Sequence, residues 1–176
     1  MNKKYMDLAY KEALKAYEKK EIPVGCVIVK DDVVIAKAHN LREIKNMVNA
    51  HAEMLAISKA NKKLNSWRLD GCDIYITLEP CPMCYSTIIQ ARINNLYFGA
   101  YDSKNGACGS LFDLSTYKFN HKVNVVGGIE EEKCKKLIQD FFKTLRSWLI
   151  ISNVLQYQCI IQGVWVNQVR SGMEQP

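Results

Sequence analysis

Hydrophobic positions in the first twenty residues recur at helical spacing. Met6, Ala9, Ala13 and Tyr17, with Tyr10 and Leu14 beside them, form one apolar stripe, and lysines fill the opposite face. The pattern predicts a helix over Lys3 to Lys19, stopped before Pro23. Two β-rich apolar runs follow, Val24 to Lys30 and Val33 to Ala38. Asp31-Asp32 between them is a turn signal, so the pair predicts a hairpin. After a polar loop, Asn49 is placed to cap a helix from about Ala50 to Lys62. Cys72 to Leu78 predicts a strand. Pro80 stands where the next helix would begin, and that helix should run to about Ala91. Asn94 to Ala100 and Val123 to Val126 predict two more strands, separated by a glycine-containing loop over Ser103 to Ser110. A final helix is expected from Glu130 to about Arg146. Strands alternating with helices around a hairpin place the chain in the α/β class, with a mixed sheet covered on both faces.

Composition changes this picture at one place. All but one of the 24 basic residues precede Ser147; Arg170 is the exception, opposed by Glu174. The residues after Arg146 are rich in Ile, Val, Trp, Tyr and Gln, and their apolar positions keep neither a helical nor a strand period. This divides the chain into a domain over 1–146 and an atypical tail over 147–176. The tail's first residues are expected to continue the last helix, with Trp148 or Leu149 resting on the domain.

The remaining composition is that of an ordinary globular domain: 176 residues, 48% hydrophobic and 24% charged. Ile22 to Val29, the longest run near the start without charged or amide side chains, is too short to span a bilayer. The opening Met1-Asn2-Lys3-Lys4 is not a secretory leader. Seven cysteines without an export signal predict reduced thiols and a cytoplasmic setting. The net charge of +6 leans mildly toward polyanionic partners.

Three short pieces carry chemistry: His51-Ala52-Glu53, Glu79-Pro80-Cys81, and Cys84. Cys81 and Cys84 lie three apart at a predicted helix start, so both thiols share a face. The positive end of a helix favours thiolate. His51 also sits at a predicted helix start. One nitrogen and two sulfurs make the three-ligand set of a catalytic zinc with an open fourth position, and they suit zinc better than magnesium or calcium. Each piece alone has an ordinary explanation, a reduced core thiol or a hydrogen-bonded histidine; their coincidence does not. Cys26, Cys72, Cys108, Cys134 and Cys159 lack partners at ligand spacing and read as core thiols.

Lowering the pKa of a bound water from 15.7 to about 7 removes roughly 12 kcal/mol from the cost of hydroxide. Two thiolates acidify such a water less than three imidazoles do. A carboxylate must then accept its proton, and Glu53 is placed to do so.

His-Ala-Glu followed by Glu-Pro-Cys-Pro-Met-Cys resembles the zinc-dependent cytidine/deoxycytidylate deaminase superfamily. Over residues 5 to 146 the chain is most similar to the branch that deaminates adenosine in tRNA. Supporting stretches are Ile22 to Val29, Asn40 to Glu43, Phe98 to Ser110 and Asp140 to Arg146.

The resemblance implies a three-layer cytidine-deaminase-like fold, with a mixed central sheet of about five strands and helices on both faces. It implies one zinc ion per chain on His51, Cys81 and Cys84, and hydrolysis of the wobble adenosine of a tRNA anticodon stem-loop to inosine. Glu53 would take the water proton, protonate the ring and help ammonia leave. The resemblance further implies substrate contacts from Asn40, Asp102 and Lys104, an aromatic-basic helix face of Phe141, Phe142 and Arg146 against the anticodon loop, and a homodimer. The tail matches nothing in the family. Two other functions stay open on sequence: a deaminase of a free base or nucleotide such as guanine or cytosine, and a non-catalytic zinc-containing RNA-binding subunit.

Overall fold

The computed structural model describes the backbone of residues 3–161 and the side chains of residues 3–147. The chain divides into two compact units, Met1–Ile138 and Gln139–Pro176. The first contains a five-stranded sheet in the order β2-β1-β3-β4-β5, from β1 (Gly25–Lys30), β2 (Val33–His39), β3 (Cys72–Leu78), β4 (Asn95–Ala100) and β5 (Asn124–Val126). β1 runs antiparallel to both β2 and β3, and β3, β4 and β5 are mutually parallel, so the sheet is mixed as expected. Among the described residues the helices are α1 (Lys3–Glu18), α2 (Arg42–Lys45), α3 (Ala52–Leu64), α4 (Pro82–Gln90) and α5 (Glu131–Ile161), with a 3₁₀ turn at Leu114–Thr116.

Side-chain alternation along β1 builds two cores. Cys26 and Ile28 face Ala52, Ala56 and Ala60 of α3 and Ile88 and Ile89 of α4. Val27 and Val29 face Tyr5, Met6 and Ala9 of α1, where Cys134 of α5 also packs. A strand buried on both sides reads as a continuous apolar run, which Cys26 to Val29 is. The hairpin turn is the predicted one. Asp31 and Asp32 have φ of 49° and 58° between the paired Lys30 and Val33, the left-handed backbone a two-residue loop needs to match strand twist.

Several boundaries differ from the sequence expectation, each for a local reason. The α1 stripe is shifted: Tyr5, Glu12 and Ala16 complete its buried face, while Leu14 is exposed. Glu12 is tolerated there because it accepts hydrogen bonds from Lys15 Nζ (2.7 Å) and His39 Nδ1 (2.9 Å). Asn49 does not cap α3; His51 occupies the cap position, two residues on. Pro80 lies outside α4, and Pro82 holds the first-turn position instead. The expected polar loop contains α2, ended by Asn46 in left-handed conformation at φ 48°. The last helix continues well past Arg146, to Ile161. The expected contacts of Trp148 and Leu149 lie outside the described side chains, and residues 162–176 outside the described backbone. No helix among the described residues is long and apolar enough to cross a membrane.

α1 crosses β1 at Gly25. A β-carbon there would run into the α1 backbone at Ala9 O and Ala13 N, so the alanines of α1 and this glycine set the helix-to-sheet distance together. Gly25 N also donates to Thr77 Oγ1 at 3.0 Å, tying β1 to β3. Gly25→Ala is therefore expected to lower unfolding free energy by about 1–3 kcal/mol. Urea denaturation should show a lower midpoint at unchanged slope.

Candidate active site

Two helices start at one point. His51 is the N-cap of α3 and Cys81 the N-cap of α4, both extended (φ −72°, ψ 153° and φ −72°, ψ 168°), and neither side chain caps its own helix. Their carbonyls accept the first helical bonds, from Leu55 N (3.0 Å) and Tyr85 N (2.9 Å). The side chains are left to meet across the gap. His51 Nδ1 lies 3.8 Å from Cys81 Sγ and 3.5 Å from Cys84 Sγ. All three donor atoms fall within 4.8 Å of one another, close enough to share one metal ion. Among the described residues no second cluster of His, Cys, Asp and Glu is so arranged.

The two sulfurs are electrostatically unequal. Cys81 is held down to about 4, chiefly because the Cys84 thiol donates a hydrogen bond to it; the His51 imidazole adds to this and burial opposes it. Cys84 is pushed strongly up by that same donation, by burial and by the nearby Glu53 carboxylate. His51 is raised through its hydrogen bond to Cys81, against burial. The pair therefore shares one proton, which a cation bound there would displace. Soft thiolate, borderline imidazole and a buried setting match the donor set of zinc.

Glu53, in the first turn of α3, is buried. Its carboxyl is shifted upward, mainly by desolvation and further by the negative Cys81; His51 and the Cys84 thiol pull the other way. A carboxyl biased toward holding a proton, beside a metal-ligand cluster, is suited to proton transfer.

Glu53, His51 and Cys81 line one cavity of about 290 Å³, together with Ile22, Val24, Asn40, Arg42, Val48, Leu78, Glu79, Met83, Asp102 and Asn105. Asn40 is buried, and its Nδ2 donates to Glu21 Oε2 at 3.0 Å. Asp102 Oδ1 accepts the amides of Lys104 (2.9 Å) and Asn105 (3.2 Å). The cavity thus gathers Glu53, Asn40 and Asp102 of the expected residues around the His51–Cys81 edge of the cluster. Lys104 is exposed and does not line it. Phe141, Phe142 and Arg146 lie on α5 beyond Ile138, outside the unit that bears the cavity; the two rings meet edge-on at 5.4 Å.

Cys26, Cys72 and Cys134 are buried, Cys108 is half-buried, and none is in a disulfide. Cys159 falls outside the described side chains. Sequence reasoning did not assign Arg42, Val48, Met83 or Asn105, or roles for Glu21 and Glu79. Glu21 carried no motif at all, and Glu79 stood inside the quoted Glu-Pro-Cys.

The sheet order, with a donor cluster at two facing helix starts, is that of the cytidine-deaminase-like fold. A family profile described as MafB19-like deaminase matches residues 1–146. The tRNA-specific adenosine deaminase of Bacillus subtilis (strain 168) is 48% identical over 143 residues, covering 81% of this chain and 89% of that one. The tRNA-specific adenosine deaminase of Aquifex aeolicus (strain VF5) is 43% identical over 152 residues, covering 85% and 100%. A solved structure from a study of A-to-I editing by tRNA:A34 deaminases at the wobble position matches with a TM-score of 0.74 at 41% identity, over 77% of this chain and 99% of that one. The chain belongs to the deaminase family, with the tRNA-specific adenosine deaminases.

The unequal sulfurs give a test that needs no substrate. In metal-stripped protein, iodoacetamide should label Cys81 ahead of Cys84 at pH 6, read by peptide mass spectrometry. Because Cys81 is depressed to about 4, its thiolate is present above that pH, and labelling should fall as pH drops through about 4.

Proposed function

We propose that this chain hydrolyses adenosine to inosine at the wobble position of a tRNA anticodon loop, with zinc held by His51, Cys81 and Cys84 and Glu53 as the catalytic residue. The observation that carries the reading is that Glu53, His51 and Cys81 line one cavity, with Cys84 in the same donor cluster behind them, in a chain similar over most of its length to tRNA-specific adenosine deaminases. Zinc bound by the three donors would supply an acidified water as nucleophile toward C6 of the base. Glu53 accepts one proton of the attacking water and passes it to N1 of the purine, then takes the proton of the new hydroxyl at C6 and gives it to the departing amine as the C6–N bond breaks, so that water and adenosine become inosine and ammonia. Its upward-shifted carboxyl supports this, since a group that both takes and gives a proton works best near the operating pH.

Asn40 holds the base and sugar with what remains of its amide after one N–H is committed to Glu21. Asp102 contributes from the loop after β4. Lys104 and Arg146 meet phosphate, and Phe141 and Phe142 stack on splayed anticodon bases. The protein works as a homodimer; support comes from exposed apolar side chains such as Leu111 and Phe112 on the described surface. Unpaired thiols fit a reducing, cytoplasmic setting. The deaminase domain is residues 1–146, which is also the span of the family match.

An anticodon stem-loop should be deaminated in preference to free adenosine, cytidine or guanine. Equal or better turnover of a free base would assign the cavity to that substrate class instead. Glu53→Ala should keep one zinc per chain and an unchanged melting temperature while kcat falls by about 10²- to 10⁴-fold. Cys81→Ser/Cys84→Ser should lose the metal altogether, by elemental analysis.

Truncation after Arg146 should retain zinc and stem-loop turnover, with solubility equal or better, although it cuts α5. Loss of turnover in that chain would make the remainder of the helix part of the working domain.

A further inference from the structure

Glu79 is a buried carboxylate that no step of the deamination uses. It follows β3 and sits two residues before Cys81, with its own amide donating to Ala100 O at the end of β4 (2.8 Å). Its oxygens collect four donors from the segment after β4. Oε1 accepts Cys108 N at 2.7 Å and Ser110 N at 3.2 Å. Oε2 accepts Asp102 N at 3.0 Å and the Ser110 hydroxyl.

An ionised carboxylate has acceptor sites for four such donors and nothing to donate, so the match is complete. The loop is drawn tightly onto it. A β-carbon on Gly106 would collide with the Glu79 carboxylate and with Asp102 O, while Ala107 N donates to Pro80 O at 3.0 Å. Asp102 and Asn105 of this loop form one wall of the cavity.

We infer that Glu79 is a positioning residue for substrate specificity: its carboxylate clamps the 102–110 loop that supplies Asp102 and Asn105 to the cavity wall, so that recognition of a nucleotide within RNA depends on it while proton transfer by Glu53 does not. The inference rests on the reading of this cavity as the deaminase site. A glutamine side chain has the same shape but cannot accept all four donors. A Gln at 79 turns one acceptor into a donor, so that either the Cys108 and Ser110 amides or the Asp102 amide lose their partner.

Two readouts on the zinc-loaded full chain test the clamp. Hydrogen exchange at the Asp102, Cys108 and Ser110 amides needs no substrate. In Glu79→Gln at least one of the two amide sets should exchange about tenfold faster, with exchange in β3 unchanged. In steady-state kinetics with an anticodon stem-loop, Glu79→Gln should raise KM about tenfold while kcat stays within about threefold and zinc remains stoichiometric. Ser110→Ala, which removes one donor and leaves the carboxylate, should shift KM and Ser110 exchange in the same direction by a smaller factor. That variant carries the test if Glu79→Gln does not fold.

Unchanged exchange and unchanged KM would overturn the inference. So would a fall in kcat accompanied by loss of zinc, since Glu79 would then serve the Cys81 helix start and not the wall. If the wild-type chain does not turn over a stem-loop, the proposed function fails, and the exchange measurement still decides whether the clamp exists.

Discussion

The site depends on two helix N-termini meeting at one point. N-cap residues ordinarily spend their side chain on the free amides of their own first turn. His51 and Cys81 do not, and so are available to each other. The unspent amides leave positive potential at both helix ends, where negative sulfur is least costly. This works only if α3 and α4 are held in fixed register. Both lie on the same face of the sheet, their inner residues packed on Cys26, Ile28, Ile74 and Ile76. On the other face α1 rests on β1 with no room for a β-carbon at Gly25. A displacement of either helix start by one residue would carry its donor around the helix and out of reach.

Four glutamates are buried in the described unit, and their partners divide them by role. Burying a carboxylate is expensive unless donors replace the lost water. Glu12 has Lys15 and His39; Glu21 has Asn40 Nδ2 and the Ile44 amide at 2.8 Å; Glu79 has four donors. Glu53 is the exception. No side-chain amide, hydroxyl or ammonium donates to it among the described residues, and its proton affinity rises through desolvation. The saturated acids fix structure, and the under-saturated one is free to exchange a proton. Glu21 and Glu79 each fix part of the cavity lining, one through Asn40 and α2, the other through the 102–110 loop.

Much of this was legible in the sequence, because period and spacing are local. The double-faced strand Cys26 to Val29, the Asp31-Asp32 turn and the ligand trio each follow from neighbours in the chain. What was not legible depends on distant partners. Asn49 has the better intrinsic capping chemistry, yet His51 takes the cap position of α3, and its imidazole faces the sulfurs of α4. Pro80 looked like a first-turn proline. It precedes the helix and spends its carbonyl on Ala107, from a loop 27 residues on. α2 is four residues long and buries nothing, so no period marks it. The length of α5 was missed because the residues after Arg146 carry no regular stripe, whereas a backbone can continue helical without one.

The hexapeptide Glu79-Pro80-Cys81-Pro82-Met83-Cys84 shows why motif and substrate preference are hard to separate in this fold. Glu79 gathers the wall loop and Pro80 takes one of its amides. Cys81 ends the extended segment and offers sulfur, and Pro82 starts the helix with no amide to satisfy. Met83 lines the cavity, and Cys84 returns to the donor cluster with His51 and Cys81 one turn on. Six consecutive residues therefore set two of the three cluster donors and one wall of the cavity together. On the proposed reading, His51, Cys81 and Cys84 would fix where the reacting carbon lies, and the loop held by Glu79 would fix what can be attached to it. If the cavity is the deaminase site as proposed, discrimination between a free base and a nucleotide within RNA falls to that wall. Substitutions there should act on binding, and substitutions at Glu53 on turnover.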